Sequence, residues 1–168
     1  MKFKSLGLAG LTLLTVVGCA PHDDSEPVLS QMELRQIQTK SFNSVDMKNV
    51  MKVMLSVLQD DGYIVKNANL DLGLISATKE MSVESRKEKT LSLMVNGEQA
   101  RWKKNAQIEV SATVNSFGSD VKVRVNFQKK VIDNIGAPVS VDQVLDPEMY
   151  LDFFNKVSKG LFIEGEGL

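Results

Sequence analysis

The pattern of apolar residues predicts an α+β domain: a single antiparallel sheet of about five strands with two helices packed on one face. The expected order is strand, helix, strand, strand, an excursion, strand, strand, helix. Three observations carry this. Ile108, Val110, Ala112 and Val114 alternate with Gln107, Glu109, Ser111 and Thr113. After a turn at Phe117-Gly118-Ser119-Asp120, Val121, Val123, Val125 and Phe127 alternate with Lys122, Arg124, Asn126 and Gln128. Strict period-two alternation means antiparallel strands with one buried and one wet face, and a one-residue slip would invert both. The third observation is a pair of helical stripes, Met47, Val50, Met51, Met54, Leu55, Val57 and Leu58 in one and Tyr150, Phe153, Phe154, Val157 and Leu161 in the other.

Taken in order, Glu33 to Phe42 alternates weakly and reads as a strand. Ser44 and Asp46 offer N-caps for the first helix, and Gly62 supplies its left-handed C-cap. Tyr63 to Lys66 is a strand. Asn67-Ala68-Asn69 opens a turn that Gly73 closes, and Leu74 to Lys79 returns as the partner strand. Glu80 to Lys104 is the excursion. Ser82 to Lys89 is charged and exposed, and Leu91, Leu93 and Val95 alternate up to Asn96-Gly97. A hairpin there would set Leu91 opposite Trp102 and Leu93 opposite Ala100, and a short helix or a mobile segment from Val83 to Val95 fits as well. Beyond the two long strands, Ser140 to Leu145 suggests a short capped turn. Asp146-Pro147-Glu148 then starts the last helix, with an N-cap aspartate, proline in the first position and an acid in the first turn.

Composition sets limits on function. The single cysteine, Cys19, allows no intramolecular disulfide. From Cys19 onward the chain carries 18 basic and 21 acidic residues, a net charge of −3 that argues against bulk nucleic-acid binding. Between Lys79 and Val131 the balance is 11 basic to 6 acidic, and such asymmetry marks a candidate contact surface. Chemistry-bearing patterns are missing: there is no phosphate loop, nucleophile elbow or metal-ligand spacing. The one histidine, His22, has no partner cluster, Asp60-Asp61 sits at a helix end, and Asp23-Asp24 sits in a linker. No enzyme activity, cofactor or metal is expected. Candidate interaction residues are Trp102, amid Arg101, Lys103 and Lys104, and Lys122 and Arg124 on the wet sheet face. Trp102 reads equally as the edge of the core.

The N-terminus locates the protein. Lys2 and Lys4 precede an apolar run from Leu6 to Val17, about a dozen residues against the roughly 20 that a bilayer-spanning helix needs. The run ends in Val16-Val17-Gly18-Cys19, which resembles the lipobox of bacterial lipoproteins; a plain signal peptide and an uncleaved helix are the competing readings. The resemblance implies cleavage before Cys19 and three acyl chains on that residue, enough for stable attachment. By the Gram-negative sorting rule, Ala20 after the cysteine implies the outer membrane, with the domain facing the periplasm. The expected division is 1–18 signal peptide, 19–31 lipidated acidic tether bearing Pro21 and Pro27, and 32–168 a single globular domain.

Val57-Leu58-Gln59-Asp60 with Gly62-Tyr63, Leu72-Gly73-Leu74-Ile75 up to Lys79, Tyr150, Phe153-Phe154, Ser158-Lys159 and Phe162-Ile163-Glu164 resemble an uncharacterised family of small proteobacterial outer-membrane lipoproteins. The element order is similar to the helix-grip domains of the barrel-assembly machinery C lipoprotein. The expected function is a non-enzymatic envelope lipoprotein, held to the membrane through Cys19 and serving as an interaction or accessory module for an envelope protein. The alternative is a carrier of a small apolar ligand or lipid in a cavity between helices and sheet.

Overall fold

The structure, a computed structural model, describes residues 30–166. Val16, Val17, Gly18 and Cys19, and with them the expected processing and lipidation, lie outside the described residues. The elements are α1 (Gln31–Ile37), β1 (Thr39–Asn43), α2 (Met47–Asp60), β2 (Ile64–Asn69), β3 (Leu74–Ser82), α3 (Arg86–Asn96), β4 (Lys103–Phe117), β5 (Asp120–Asp133), β6 (Pro138–Gln143) and α4 (Pro147–Gly165). The strands form one antiparallel sheet in the order β1-β5-β4-β3-β2, with β6 also paired to β5.

The long β4–β5 hairpin is the spine. Gly118, at φ +64°, takes the first central position of its two-residue turn, where a side chain would be strained. The turn pairs Phe117 with Asp120 and fixes the register along the hairpin, with Val110 opposite Phe127. Ile108 to Val114 and Val121 to Phe127 then present their apolar rows to a single cluster, to which α2 contributes Val50, Met51, Met54 and Leu58 and α4 contributes Tyr150, Phe153, Phe154 and Val157. The Phe127 ring lies edge-on to Tyr150 at 5.1 Å and to Phe153 at 5.8 Å, the geometry that the ring quadrupole favours.

Local chemistry sets the helix ends. Asp46 caps α2 by accepting from Lys48 N–H, and Asp146 caps α4 by accepting from Glu148 N–H. At the end of α2, Tyr63 N–H donates to Leu58 O (2.8 Å) and Gly62 N–H to Gln59 O (2.9 Å), a Schellman closure for which Gly62 takes φ +82°. The two helices approach closely where Gly160 faces Val53, since a Cβ at Gly160 would lie 2.6 Å from Val53 Cγ1.

β1 and β6 share one edge of β5 end to end, β1 opposite Asp120–Arg124 and β6 opposite Gln128–Ile132. Gln38 and Tyr150 fill the gap between them. Val125 N–H donates to Gln38 O (2.9 Å) and Phe127 N–H to the Tyr150 hydroxyl (3.4 Å), which itself donates to Val144 O (2.9 Å). The buried Gln38 amide donates to Asn126 Oδ1 (3.2 Å). A carbonyl from outside the strands and a side-chain hydroxyl thus replace ladder bonds where neither strand reaches, as buried backbone donors require.

Three expectations are corrected, and one reading left open is decided. Residues 33–37 are helical: Ser30 and Glu33 form a reciprocal capping box that starts α1 at Gln31, inside the expected tether, and only Thr39–Asn43 extends. Asn67, Ala68 and Asn69 belong to β2, beyond a register irregularity near Lys66, and the turn is Leu70 to Gly73, with Asn69 Oδ1 accepting from Leu72 N–H. The excursion, left open between a hairpin, a short helix and a mobile segment, contains helix α3. Residues 138–143 form a sixth strand, because the edge of β5 beyond β1 is open to pair. Among the described residues there are therefore six strands and four α-helices; α2 and α4 supply the buried helical residues of the main core cluster, and α1 and α3 are additions. No helix among the described residues is long and apolar enough to cross a membrane.

Candidate interaction surfaces

Helix α3 begins where Ser85 Oγ accepts from Glu88 N–H and ends at Gly97, at φ +55°. It rests on the fold through its polar side. Ser92 Oγ donates to Arg101 O (2.7 Å), and Glu88 Oε1 accepts from Lys103 N–H (3.3 Å). Lys89 pairs with Glu84 (2.8 Å) and lies 5.2 Å from the centre of the Trp102 ring, whose Nε1 donates to the same Glu84 carboxylate (3.2 Å). The hydrogen bond from Lys89, with help from Trp102, holds the Glu84 carboxyl below its ordinary pKa.

Around the rest of the helix, Leu91, Met94 and Val95, neighbours at three- and four-residue spacing, are 64, 78 and 72 % exposed. None of the helix's residues is buried. A helix held to the fold by polar side chains while its apolar ones stay in water reverses the usual arrangement, in which the apolar stripe meets the core. From Val83 to Lys104 the segment carries six cations against three carboxylates. Trp102 is thus neither a bare surface anchor nor a member of the core. It is a half-buried strut under Lys89.

Lys122 and Arg124 are exposed on the wet sheet face, as the alternation requires, but some nine residues of β5 separate Arg124 from Asp133, the pairing partner of Lys103 beside Trp102. That is about 30 Å at the rise of a strand. The three candidate residues therefore belong to two surfaces. Lys122 and Arg124 line a groove of about 680 Å³ together with Arg35 of α1, and Met32 and Phe117 stand in the same lining, which contains no carboxylate. Arg124 Nη2 donates to Gln38 Oε1 (3.4 Å), so the strand-gap residue also orients the groove's cation. Sequence reasoning missed Arg35, whose segment read as a strand, and Phe117, which read as a turn residue; odd numbering along β4 places Phe117 on the wet face, and that was the available signal.

A second cleft, of about 430 Å³, lies between α2 and α4 and is lined by Asp60, Asp61, Lys156 and Gly160 among others. Lys156 Nζ sits 2.6 Å from Asp61 Oδ1 and 2.8 Å from Asp152 Oδ2. Hydrogen bonds to Asp152 and Asp61 push its pKa up to about 12. Asp61 O also accepts from Lys79 Nζ (2.6 Å). Asp61 thus ties α4 and β3 to the end of α2, a structural arrangement. Between helices and sheet, where a ligand cavity was the alternative, Met54, Phe153 and the valine rows are buried in one cluster.

No protein-family model matches the chain, and no curated protein matches it. Among solved structures it is similar to a DUF4468 family protein from Bacteroides ovatus, with a TM-score of 0.41 and 8 % identity, covering 73 % of this chain and 84 % of that one.

Proposed function

We propose that the protein is a non-enzymatic lipoprotein of a bacterial outer membrane, attached through Cys19, whose domain in the periplasm serves as an interaction module for another envelope protein. The observation that carries the interaction role is α3: a helix seated by Glu88, Lys89 and Ser92 that leaves Leu91, Met94 and Val95 in water. Exposing that much contiguous apolar surface costs solubility unless a partner covers it. The cations around it, Arg86, Lys87, Arg101, Lys103 and Lys104, suit an apolar partner surface edged by carboxylates. The basic n-region, the short apolar run and the cysteine after Gly18 support the anchor.

Two experiments test this. Cys19→Ser should leave an unprocessed precursor and abolish acylation; unchanged processing and membrane fractionation would refute the anchor. A photo-crosslinking residue in place of Met94 in the full chain in cells should yield one discrete protein adduct, lost on adding Leu91→Asp and Val95→Asp at equal protein level. The same adducts from a control position at Ser76, on the sheet face, would refute the α3 surface.

A further inference from the structure

The exposed apolar residues are not confined to α3. At the opposite end of the sheet, Met32 of α1, Leu70, Leu72 and Leu74 of the β2–β3 turn, and Phe117 at the β4–β5 tip are 42–72 % exposed. The two hairpin tips lie side by side. β3 and β4 are neighbours, Gly73 O accepts from Val114 N–H (2.7 Å), and Leu74 is opposite Thr113. Met32 lines the same groove as Phe117, so the start of α1, which continues from the tether, belongs to this end. Three backbone segments thus bring bulky apolar side chains to one end of the sheet, where Arg35, Lys122 and Arg124 also stand.

We infer that this end is a foot that rests on the lipid surface, with the hairpin tips entering the boundary between headgroups and acyl chains and the groove cations meeting headgroup phosphates. The inference rests on the reading of Cys19 as a lipid anchor. Eleven residues, Ala20 to Ser30, separate that cysteine from α1, and a chain of that length reaches at most about 40 Å. The fifteen residues of β4 span about 50 Å, so α3 stands at the far end of the molecule from the groove. Anchoring therefore holds the foot near the bilayer and leaves α3 for the partner. Within the groove the lining holds three cations and no carboxylate, complementary to phosphate, while Asp71 and Asp120 stand outside it at the tips. Leucine, methionine and phenylalanine beside cations are what an interfacial contact uses.

The test uses the full chain purified from membranes and reconstituted into vesicles of phosphatidylethanolamine with phosphatidylglycerol. The lipidated chain has no other thiol, so Phe117→Cys and, separately, Lys87→Cys on α3 each carry one environment-sensitive fluorophore. The label at 117 should shift to the blue and be quenched by nitroxide-bearing lipids, whereas the label at 87 should do neither. Lys122→Glu with Arg124→Glu should reverse the shift at 117. Equal water exposure at both positions, equal quenching at both, or shielding at 117 only when a soluble protein is added would each overturn the foot. Mass spectrometry of the same samples reads the acylation of Cys19 independently: an unmodified cysteine refutes the anchor, and adding Cys19→Ser to both variants, so that each again carries one label, lets the comparison of 117 with 87 decide the foot.

Discussion

Replacing Gly160 by alanine sets two opposed effects against each other at the crossing of α2 and α4. Alanine in a helix interior gains about 1 kcal/mol over glycine. The new methyl, however, would sit 2.6 Å from Val53 Cγ1, more than 1 Å inside ordinary carbon contact. Val53 is 3 % exposed and β-branched on a helix, so its χ1 cannot turn away cheaply. Overpacking of this kind costs about 1–3 kcal/mol, so the net change should be destabilising by about 1 kcal/mol. Removing the obstacle reverses the sign: in a Val53→Ala background, Gly160→Ala should stabilise by about 1 kcal/mol, a coupling of about 2 kcal/mol between the two sites. Urea unfolding of the four chains, followed by circular dichroism and by the fluorescence of Trp102, measures the cycle. Additivity within about 0.5 kcal/mol, or stabilisation by Gly160→Ala alone, would refute the close approach.

Other perturbations probe the rest of the fold. Tyr150→Phe removes the hydroxyl that receives Phe127 N–H and donates to Val144 O, and should cost about 1–3 kcal/mol in urea unfolding; a change below about 0.5 kcal/mol would mean that the strand gap is satisfied otherwise. Two glycines separate strain from clash. At Gly118 a Cβ meets nothing within 4 Å, so Gly118→Ala should cost only about 1–2 kcal/mol of left-handed backbone strain. At Gly73, φ +63°, the Cβ would lie 2.0 Å from the Val114 carbonyl oxygen, so Gly73→Ala should cost more than about 3 kcal/mol by the same measurement; equal costs would contradict the packing of the two tips. Alkaline titration reads Lys156. Its pKa is raised from 10.5 to about 12, so its contribution is complete below 10.5 and disappears as pH rises through 12. Burial raises Tyr63 as well, in the same direction for stability. Thermal midpoints should fall over that window, and Lys156→Met should shrink the fall by a modest amount, because the pair is solvated; an unchanged slope would remove Asp61 and Asp152 as its partners.

Much of this chain is written in its period. Ile108 to Val114 and Val121 to Phe127 could bury only one face each, and Gly118-Ser119 left a single way to join them, so the hairpin and its wet face carrying Lys122 and Arg124 were legible residue by residue. The stripes of α2 and α4, and the caps Asp46, Asp146 and Gly62, were equally local. What escaped depended on neighbours distant in sequence. Polar Pro138–Gln143 becomes a strand because β1 stops short along β5, and Gln38 and Tyr150, more than a hundred residues apart, meet only because that gap exists. Leu91, Leu93 and Val95 alternate as a strand would and fit a short helix as well, and nothing local says which side chains meet the fold. Only the packed molecule reveals that Ser92, Glu88 and Lys89 took the inner side, and that Trp102 and Arg124 lie at opposite ends of the sheet. Periodicity fixes which residues share a face, because it follows from backbone geometry alone. Which faces meet, and which stay open to water, is decided by how the segments close on one another.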